Sequence, residues 1–203
     1  MSQDSVSHGF RLTFAELEAI SGDEPGWPRV RHVLGFDVPL DKTVIQGCGM
    51  ASLLARGYAT VEDQRILMPN PLIEITKRLR EGTHWIGVMV ITDGAAVSTV
   101  YGVNDAGTGR VYTGTVAPGV IEILPFVDTV EPAAQLEEII TSHLAADSVM
   151  LAIKPENCQP MLIRRQGDAW SLGDPSDPSA DYTPATKDAV LAQLDEILKA
   201  NLP

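Results

Sequence analysis

Side chains that could perform catalysis or hold a metal ion are few in this sequence, and they are not grouped. The four histidines occur singly, at His8, His32, His84 and His143. His84 and Asp93 fall at opposite ends of one predicted strand and could be placed as an acid–base pair, although a surface imidazole and a turn residue are the simpler interpretation. The motifs of serine hydrolases, zinc peptidases and dinucleotide-binding enzymes do not occur. We therefore predict no catalytic, cofactor-binding or metal-binding residue, and a protein that is not an enzyme.

The two cysteines give no redox or metal-binding motif. Cys48 falls within a predicted helix and Cys158 precedes a predicted strand, without a CxxC pair or a Cys/His spacing. Isolated thiols of this kind usually behave as small apolar residues. We predict that both are reduced, unpaired and packed in the interior.

The charge of the chain disfavours nucleic-acid binding. Fifteen Lys and Arg residues against 27 Asp and Glu residues give a net charge of −12, whereas binding to phosphates depends on a basic surface. Residues 41–81 could form a winged-helix DNA reader with residues 50–58 as its recognition helix. Acidic Glu62, Asp63 and Glu74 interleave with the basic residues there. We expect no nucleic-acid partner.

The length of 203 residues fits a single domain, which we place at residues 1–203 with a disordered start at residues 1–9. No run approaches the roughly 20 apolar residues that a membrane span needs. The opening MSQDSVSHGFRL resembles neither a secretory signal nor a transit peptide. We therefore expect no membrane association and a cytoplasmic location.

An antiparallel meander is predicted over residues 84–125. Four runs rich in Val, Ile, Thr and Tyr occur there, each closed by Gly, Asn, Asp or Pro. Asp93-Gly94 favours a two-residue type I′ hairpin, and the turn beginning at Asn104 is longer. Residues 85–91 are almost continuously apolar, which predicts a strand covered on both faces.

Helices are predicted on both sides of the meander. Thr13 and Glu16 form a capping box for a helix that ends near Ile20, and Trp27 is expected to pack on the core. Asp41 caps a second helix that ends at Gly57. Its apolar side is predicted to consist of Val44, Ile45, Cys48, Ala51, Leu54 and Ala55. Gly47 and Gly49 are unusual within a helix, and we attribute them to the close approach of another backbone.

The remaining segments extend the sheet and flank it. Further strands are predicted over Gln64–Met68, Ser148–Lys154, Gln159–Arg165 and the AWSLGD segment. Further helices are predicted to begin at Pro69-Asn70-Pro71, at Pro132, and at Thr183 or Thr186. Residues 173–185 are rich in Pro, Ser and Asp and are predicted to be a loop. The fold class is therefore α+β (mixed α/β), with a central, mainly antiparallel sheet of six or seven strands flanked by helices.

Several segments resemble the EspG family of cytosolic chaperones in actinobacterial type VII (ESX) secretion. They are FRLTFAELEAI, ASLLARGYATVEDQRILMP, the apolar strand pair with VAPGVIEILPF, and the acidic helix that follows. The resemblance spans about residues 10–145, and the chain differs from the family in an abbreviated second half from Ser148 onward. It implies a quasi-symmetric fold with one central sheet, and a role in binding PE–PPE-type substrate dimers before export.

The resemblance also implies a partner-binding surface, because the related chaperones use the equivalent hairpin to reach their substrate. The candidate residues are Tyr101, Asn104, Asp105, Gly107, Arg110 and Tyr112. Arg110 could pair with a carboxylate of the partner, and Tyr and Arg dominate the energetics of many interfaces. The alternative function is a small-molecule-binding or enzymatic α+β domain with a pocket between sheet and helices.

Overall fold

A computed structural model describes residues 10–22, 27–33, 41–92, 95–117, 119–125, 129–156, 158–173 and 182–203. The predictions for residues 1–9, for the Asp93-Gly94 turn and for residues 174–181 lie outside this part of the chain. The helices are α1 (Phe14–Ser21), α2 (Trp27–Val33), α3 (Lys42–Ala55), α4 (Asn70–Glu81), α5 (Pro132–His143) and α6 (Lys187–Asn201). The strands are β1 (Phe10–Thr13), β2 (Thr60–Glu62), β3 (Arg65–Leu67), β4 (His84–Thr92), β5 (Ala95–Val103), β6 (Val111–Ala117), β7 (Val120–Pro125), β8 (Ser148–Pro155), β9 (Met161–Gln166), β10 (Ala169–Gly173) and β11 (Thr183–Ala185).

Nine of these strands form one antiparallel sheet in the order β1-β7-β6-β5-β4-β8-β9-β10-β11. The predicted α+β class with a central antiparallel sheet and flanking helices is confirmed. The predicted strand number of six or seven is too low, because β1 and β11 add one strand at each edge. β11 lies within residues 173–185, predicted to be a loop. Pro184 is tolerated there because an edge strand need not donate a hydrogen bond outward.

The predicted strand at Gln64–Met68 is shorter and belongs to a separate hairpin. β3 pairs only with β2, and Val61 lies opposite Ile66. Gln64 is not in the strand but in the turn, where Asp63 and Gln64 both have positive φ angles of 49° and 63°. Two left-handed residues match the right-handed twist of a tight hairpin, although Gly is the usual residue there.

The sheet is built from two similar halves. β4 to β7 form a meander that ends in α5, and β8 to β11 form a second meander that ends in α6. The halves meet where β4 pairs antiparallel with β8, and α5 packs against α6 over the same core. The arrangement is therefore quasi-symmetric about an axis between β4 and β8.

Two separate cores lie on the two faces of the sheet. Below α5 and α6, Ile86, Tyr101, Leu151, Leu136 and Leu194 belong to one buried cluster that spans both halves. On the other face, the helices α1 to α4 cover a cluster drawn from β1, β4, β5, β6 and β7. Its members include Leu12, Trp27, Leu53, Leu72, Ile75, Leu79, Trp85, Val100, Ile121 and Ile123. Trp27 is buried as predicted.

The N-terminal helices are joined by the buried carboxylate of Glu16. The predicted capping box is confirmed, since Thr13 Oγ1 accepts from Glu16 N and Glu16 Oε2 accepts from Thr13 N at 2.7 Å. Glu16 also accepts from Ser52 Oγ at 2.7 Å and from Arg56 Nη1 at 2.6 Å. Burial alone would raise the pKa of Glu16, but the hydrogen bonds from Thr13, Ser52 and Arg56 hold that pKa below its usual value.

The helix α3 begins after Asp41 and ends near Gly57 as predicted. The prediction of its apolar side is only partly right, because Ile45 and Leu54 are partly buried and Leu54 packs on the core. Val44, Cys48, Ala51 and Ala55 are exposed, whereas Gly49 and Leu53 are buried. The crossing with α1 selects this side, because a Cβ atom on Gly49 would lie 1.8 Å from the Ala15 carbonyl oxygen. The close backbone approach predicted for the glycines is therefore confirmed at Gly49. A Cβ atom on Gly47 would meet nothing within 4 Å.

Both cysteines are free, as predicted, but Cys48 and Cys158 are exposed rather than packed in the interior. In the part of the chain that the structure describes, no helix has the length and apolar character needed to cross a membrane.

The two glycines of α3 provide a matched test of the crossing. Gly49→Ala should reduce the free energy of unfolding by about 1–3 kcal/mol, as overpacking usually does. Gly47→Ala should instead add up to about 1 kcal/mol, because only the higher helix propensity of Ala changes. Urea denaturation measures both, and equal effects of the two substitutions would contradict the proposed contact.

The hydrogen bonds of Glu16 should make the free energy of unfolding depend on pH. The lowered pKa of Glu16 means that its contribution is present above pH 4.5, the usual value, and is lost as the pH falls through the lower folded-state value. At pH 7, Glu16→Gln should cost about 1.5–3 kcal/mol of unfolding free energy, the range for charge-assisted hydrogen bonds. Denaturant titrations from pH 7 to pH 3 should show this difference shrinking.

The control is Glu122→Gln, which removes a surface ion pair with Arg11 at 2.9 Å. Such exposed pairs contribute about 0–1 kcal/mol. A Glu16→Gln effect no larger than that of the control would show that the buried network does not stabilise the fold.

Candidate partner-binding surface

The loop between β5 and β6 carries the residues predicted to bind a partner, and most of its longer side chains face the protein. Arg110 is only 4% exposed. Its Nε donates to the Gly107 carbonyl at 2.9 Å, and its Nη1 lies 3.4 Å from Gln135 Oε1. The expectation that Arg110 meets a partner carboxylate is therefore wrong, because this guanidinium holds the loop against α5.

The two tyrosines beside the loop also belong to the fold. Tyr101 is fully buried, and its hydroxyl donates to Gln135 Oε1 at 3.0 Å. Tyr112 is partly buried and packs on the same core, and burial raises the pKa of its phenol. Neither ring offers the exposed contact surface that was expected of it.

The loop backbone is ordered by Asn104. Its Oδ1 accepts from the amides of Ala106 and Thr108 at 3.1 and 3.0 Å, and Gly107 adopts a φ angle of +71°. Asn and Gly are the residues that such local turns favour. The length of this loop is therefore explained by its own hydrogen bonds.

Of the six predicted residues, Asp105 is the one with a strongly exposed side chain, at 79%. It accepts from Thr83 Oγ1 at 2.6 Å and lies 3.0 Å from His84 Nε2. The hydrogen bond from Thr83, followed by the contact with His84, lowers the pKa of Asp105. The acidic residue that contacts His84 in the described part of the chain is Asp105, while Asp93 lies outside it.

A different surface combines exposure with apolar character. It lies on the face of the sheet that α1 to α4 cover, but beyond the end of that cover, over β4, β8 and β9. We call it the open face; it comprises Met89, Ile91, Ser98, Met150, Ala152, Lys154 and Arg164, together with Leu162, which lies on the same side but is buried. The pairing register places all of these on one side, because Met89 lies opposite both Ser98 and Ala152, and Ala152 lies opposite Leu162. Met89 is 41% exposed.

The prediction that residues 85–91 form a strand covered on both faces is therefore only partly right. Trp85, Ile86 and Val88 are buried, but Met89 is exposed and Ile91 is half-buried. The reason is the position of the helices. The cluster below α1 to α4 takes Trp85 from β4 and no residue from β8, β9 or β10.

The charged side chains that the described strands place on the open face are basic. Within the described strands β4, β5, β8, β9 and β10, no position on this face holds Asp or Glu, whereas Lys154 and Arg164 both lie on it. In a chain with a net charge of −12, this surface is a local exception. It favours contact with an apolar group that carries negative charge.

Side chains of α2 and the ring of Tyr182 border the open face. Towards the covered half, Pro28, Arg29 and His32 of α2 form a groove of about 340 Å³ with Trp85 and Lys154. Arg29 is paired there with Glu156 at 2.9 Å. A second groove of about 300 Å³ runs over Met89, Ala152, Lys154 and Leu162.

Across the strands, over β10, Tyr182 forms a second border. A Cβ atom on Gly173 would lie 3.0 Å from both the Tyr182 ring and Leu162 Cβ, which places that ring over β10 beside Leu162. The guanidinium of Arg164 lies 5.2 Å from the centre of the same ring. The tyrosine therefore shields Leu162 and holds Arg164 in place.

The edges of the nine-stranded sheet are less accessible than this face. On β1, the carbonyl of Arg11 accepts from Arg56 Nη2 at 3.0 Å. β11 has three residues, and Pro184 at its centre has no amide hydrogen. Short strands, prolines and charged side chains are the usual protections against strand addition at an edge.

The site chemistry and the comparisons with known proteins give no further assignment. In the described ranges, no group of three or more His, Cys, Asp and Glu side chains could hold a metal ion. No family model matches the chain, and no curated protein matches it.

The exposure of Met89 can be tested against its neighbour on the opposite face of β4. Met89→Glu should change the free energy of unfolding by no more than about 0.5 kcal/mol, the usual range for a surface substitution. Val90→Glu should cost more than about 4 kcal/mol, because Val90 is 4% exposed and the carboxylate would be buried without a partner. Thermal and urea denaturation measure both. Severe destabilisation by Met89→Glu would show that the open face is covered.

Proposed function

We propose that the protein is a non-enzymatic cytoplasmic binding protein that holds a partner protein on the open face. The observation that carries this proposal is an apolar, partly exposed sheet surface centred on Met89 and Ala152, beside the buried Leu162 and next to the covered half of the same face. Exposed apolar patches bordered by polar residues are typical of protein-binding sites.

The kind of partner follows from the resemblance to the EspG chaperones. On that basis we propose a secreted helical substrate of the PE/PPE type, bound before export by the type VII (ESX) system. The quasi-symmetric single sheet with flanking helices supports this proposal, because the resemblance implies that architecture. The proposal moves the contact surface from the β5–β6 loop to the open face, since Arg110 and Tyr101 are buried.

The alternative, a small-molecule site, is less well supported by the geometry. Such sites are concave pockets with a few polar groups that converge on the ligand. The grooves beside Trp85 and Met89 are surface features, and Arg29 in the first of them is already paired with Glu156. A surface of this shape fits a protein partner better than it fits a small molecule.

The proposal is tested by co-purification from the native host with three forms of the tagged protein. Wild type and Val44→Glu should retain the same bound chain, whereas Met89→Glu should reduce its yield at least about tenfold, because a carboxylate would be placed against an apolar contact. Val44 is the matched control, since it is 59% exposed and lies on α3 rather than on the open face.

Mass spectrometry of the bound chain measures the yield. Equal recovery with Met89→Glu and Val44→Glu would overturn the proposed surface. Recovery of a small molecule with no protein, lost in the Met89 variant, would replace the proposal with the alternative.

A further inference from the structure

We propose that the open face binds one amphipathic α-helix of the partner. The contacting side of this helix carries two carboxylates that flank an apolar stripe. This inference rests on the proposed function and specifies the chemistry of the bound segment. Three observations carry it: the protected edges of the sheet, the width of the open face, and the basic charges that its described strands carry.

The edges and the opposite face of the sheet favour a helix over a strand. An added strand would need a free edge, but Arg56 occupies the carbonyl of Arg11 on β1, and Pro184 interrupts β11. The faces of this sheet instead receive helices. On the other side of the same strands, α5 and α6 pack on Val88, Val90 and Leu151.

The width of the open face suits one helix. The strands β5, β4, β8 and β9 are neighbours, and three inter-strand spacings of about 4.8 Å give a width of about 14 Å. A helix with its side chains is about 10–12 Å across. The area over these four strands therefore accommodates one helix but not two side by side.

The positions of Lys154 and Arg164 define where the carboxylates would lie. Arg164 is opposite Met150 in the register, and Lys154 is four residues further along β8. At about 3.4 Å per residue along the strand and 4.8 Å across to the next strand, the two backbone positions are about 14 Å apart. At a rise of 1.5 Å per residue this distance lies between two and three turns, and two residues on the same side of a helix are then about seven or about eleven positions apart.

Between these two cations lies the apolar part of the open face. Met89, Ala152 and Leu162 occupy it, and Met150 continues it beside Arg164. A helix with carboxylates two to three turns apart would therefore place its intervening apolar residues on these side chains. Each carboxylate would contact Lys154 or Arg164, and each of these cations already contacts another side chain of the protein.

Those neighbours limit the positions of the two cations. Lys154 Nζ lies 3.5 Å from His32 Nε2, and Arg164 stacks over Tyr182. Less side-chain freedom is then lost when the carboxylate binds. The contact is local, because charges separated by more than about 8 Å are largely screened at physiological ionic strength. The net charge of −12 therefore does not exclude an acidic helix.

The experiment compares two charge reversals in the full chain, using the co-purified partner as the readout. Lys154→Glu should lower recovery of the partner at least about fivefold, whereas Lys187→Glu should leave it unchanged. Lys187 is the matched control because it is exposed and lies in the first turn of α6, away from the open face. Restored recovery in the double change of Lys154→Glu with a partner Glu→Lys would identify the paired carboxylate.

A photo-crosslinking residue at Met89 identifies the bound segment, with the same residue at Gln193 on α6 as the control position. The crosslinked partner peptide should be helical, with two acidic residues about seven or about eleven positions apart, the spacings that return to the same side of a helix. A peptide without this pattern, a second copy of this chain, or full recovery with Lys154→Glu would overturn the inference. If Met89→Glu still abolishes recovery while Lys154→Glu does not, the proposed function stands and the acidic helix is rejected. If neither variant affects recovery, both proposals fail.

Discussion

A fully buried carboxylate, that of Glu16, connects the edge of the sheet to the helices that cover it. It accepts hydrogen bonds from Thr13, Ser52 and Arg56, which lie at the start of α1 and in and after α3. Arg56 continues the network to the carbonyl of Arg11 on β1. A buried charge is tolerated only when it is paired and hydrogen-bonded, so these elements must assemble together. The close contact at Gly49 then fixes α3 against α1.

This attachment explains why a quasi-symmetric sheet has an asymmetric surface. Each half contributes one helix, α5 or α6, to the core on one face of the sheet, and this core spans both halves. The opposite face is covered by helices that precede the first meander, and they are tied to β1 at one edge of the sheet. No corresponding helices precede the second meander, because α5 leads directly into β8 in the chain order. Among the described residues, this order leaves the area over β4, β8 and β9 without a covering helix.

The sequence predicted the local features well, because they depend on neighbouring residues. The capping box at Thr13, the cap at Asp41 and the meander are confirmed. Features that depend on distant contacts were missed. The buried side of α3 follows from a crossing with α1, and β11 needs the partner strand β10 to form. Arg110 was misassigned because its partner, Gln135, lies on another element.

The candidate surface was the hardest feature to predict, for a related reason. Residues 85–91 have the same apolar pattern whether a helix covers them or not, so the pattern alone cannot distinguish a core strand from a binding surface. The distinction requires the position of each covering element. Trp85 lies under the N-terminal helices and Met89, four residues further on, does not. The alternation of Met150 and Ala152 with Leu151 and Ile153 on β8 carries the same ambiguity. An apolar residue on a strand can therefore be placed in the core or on the surface only when the helices that cover the strand are known.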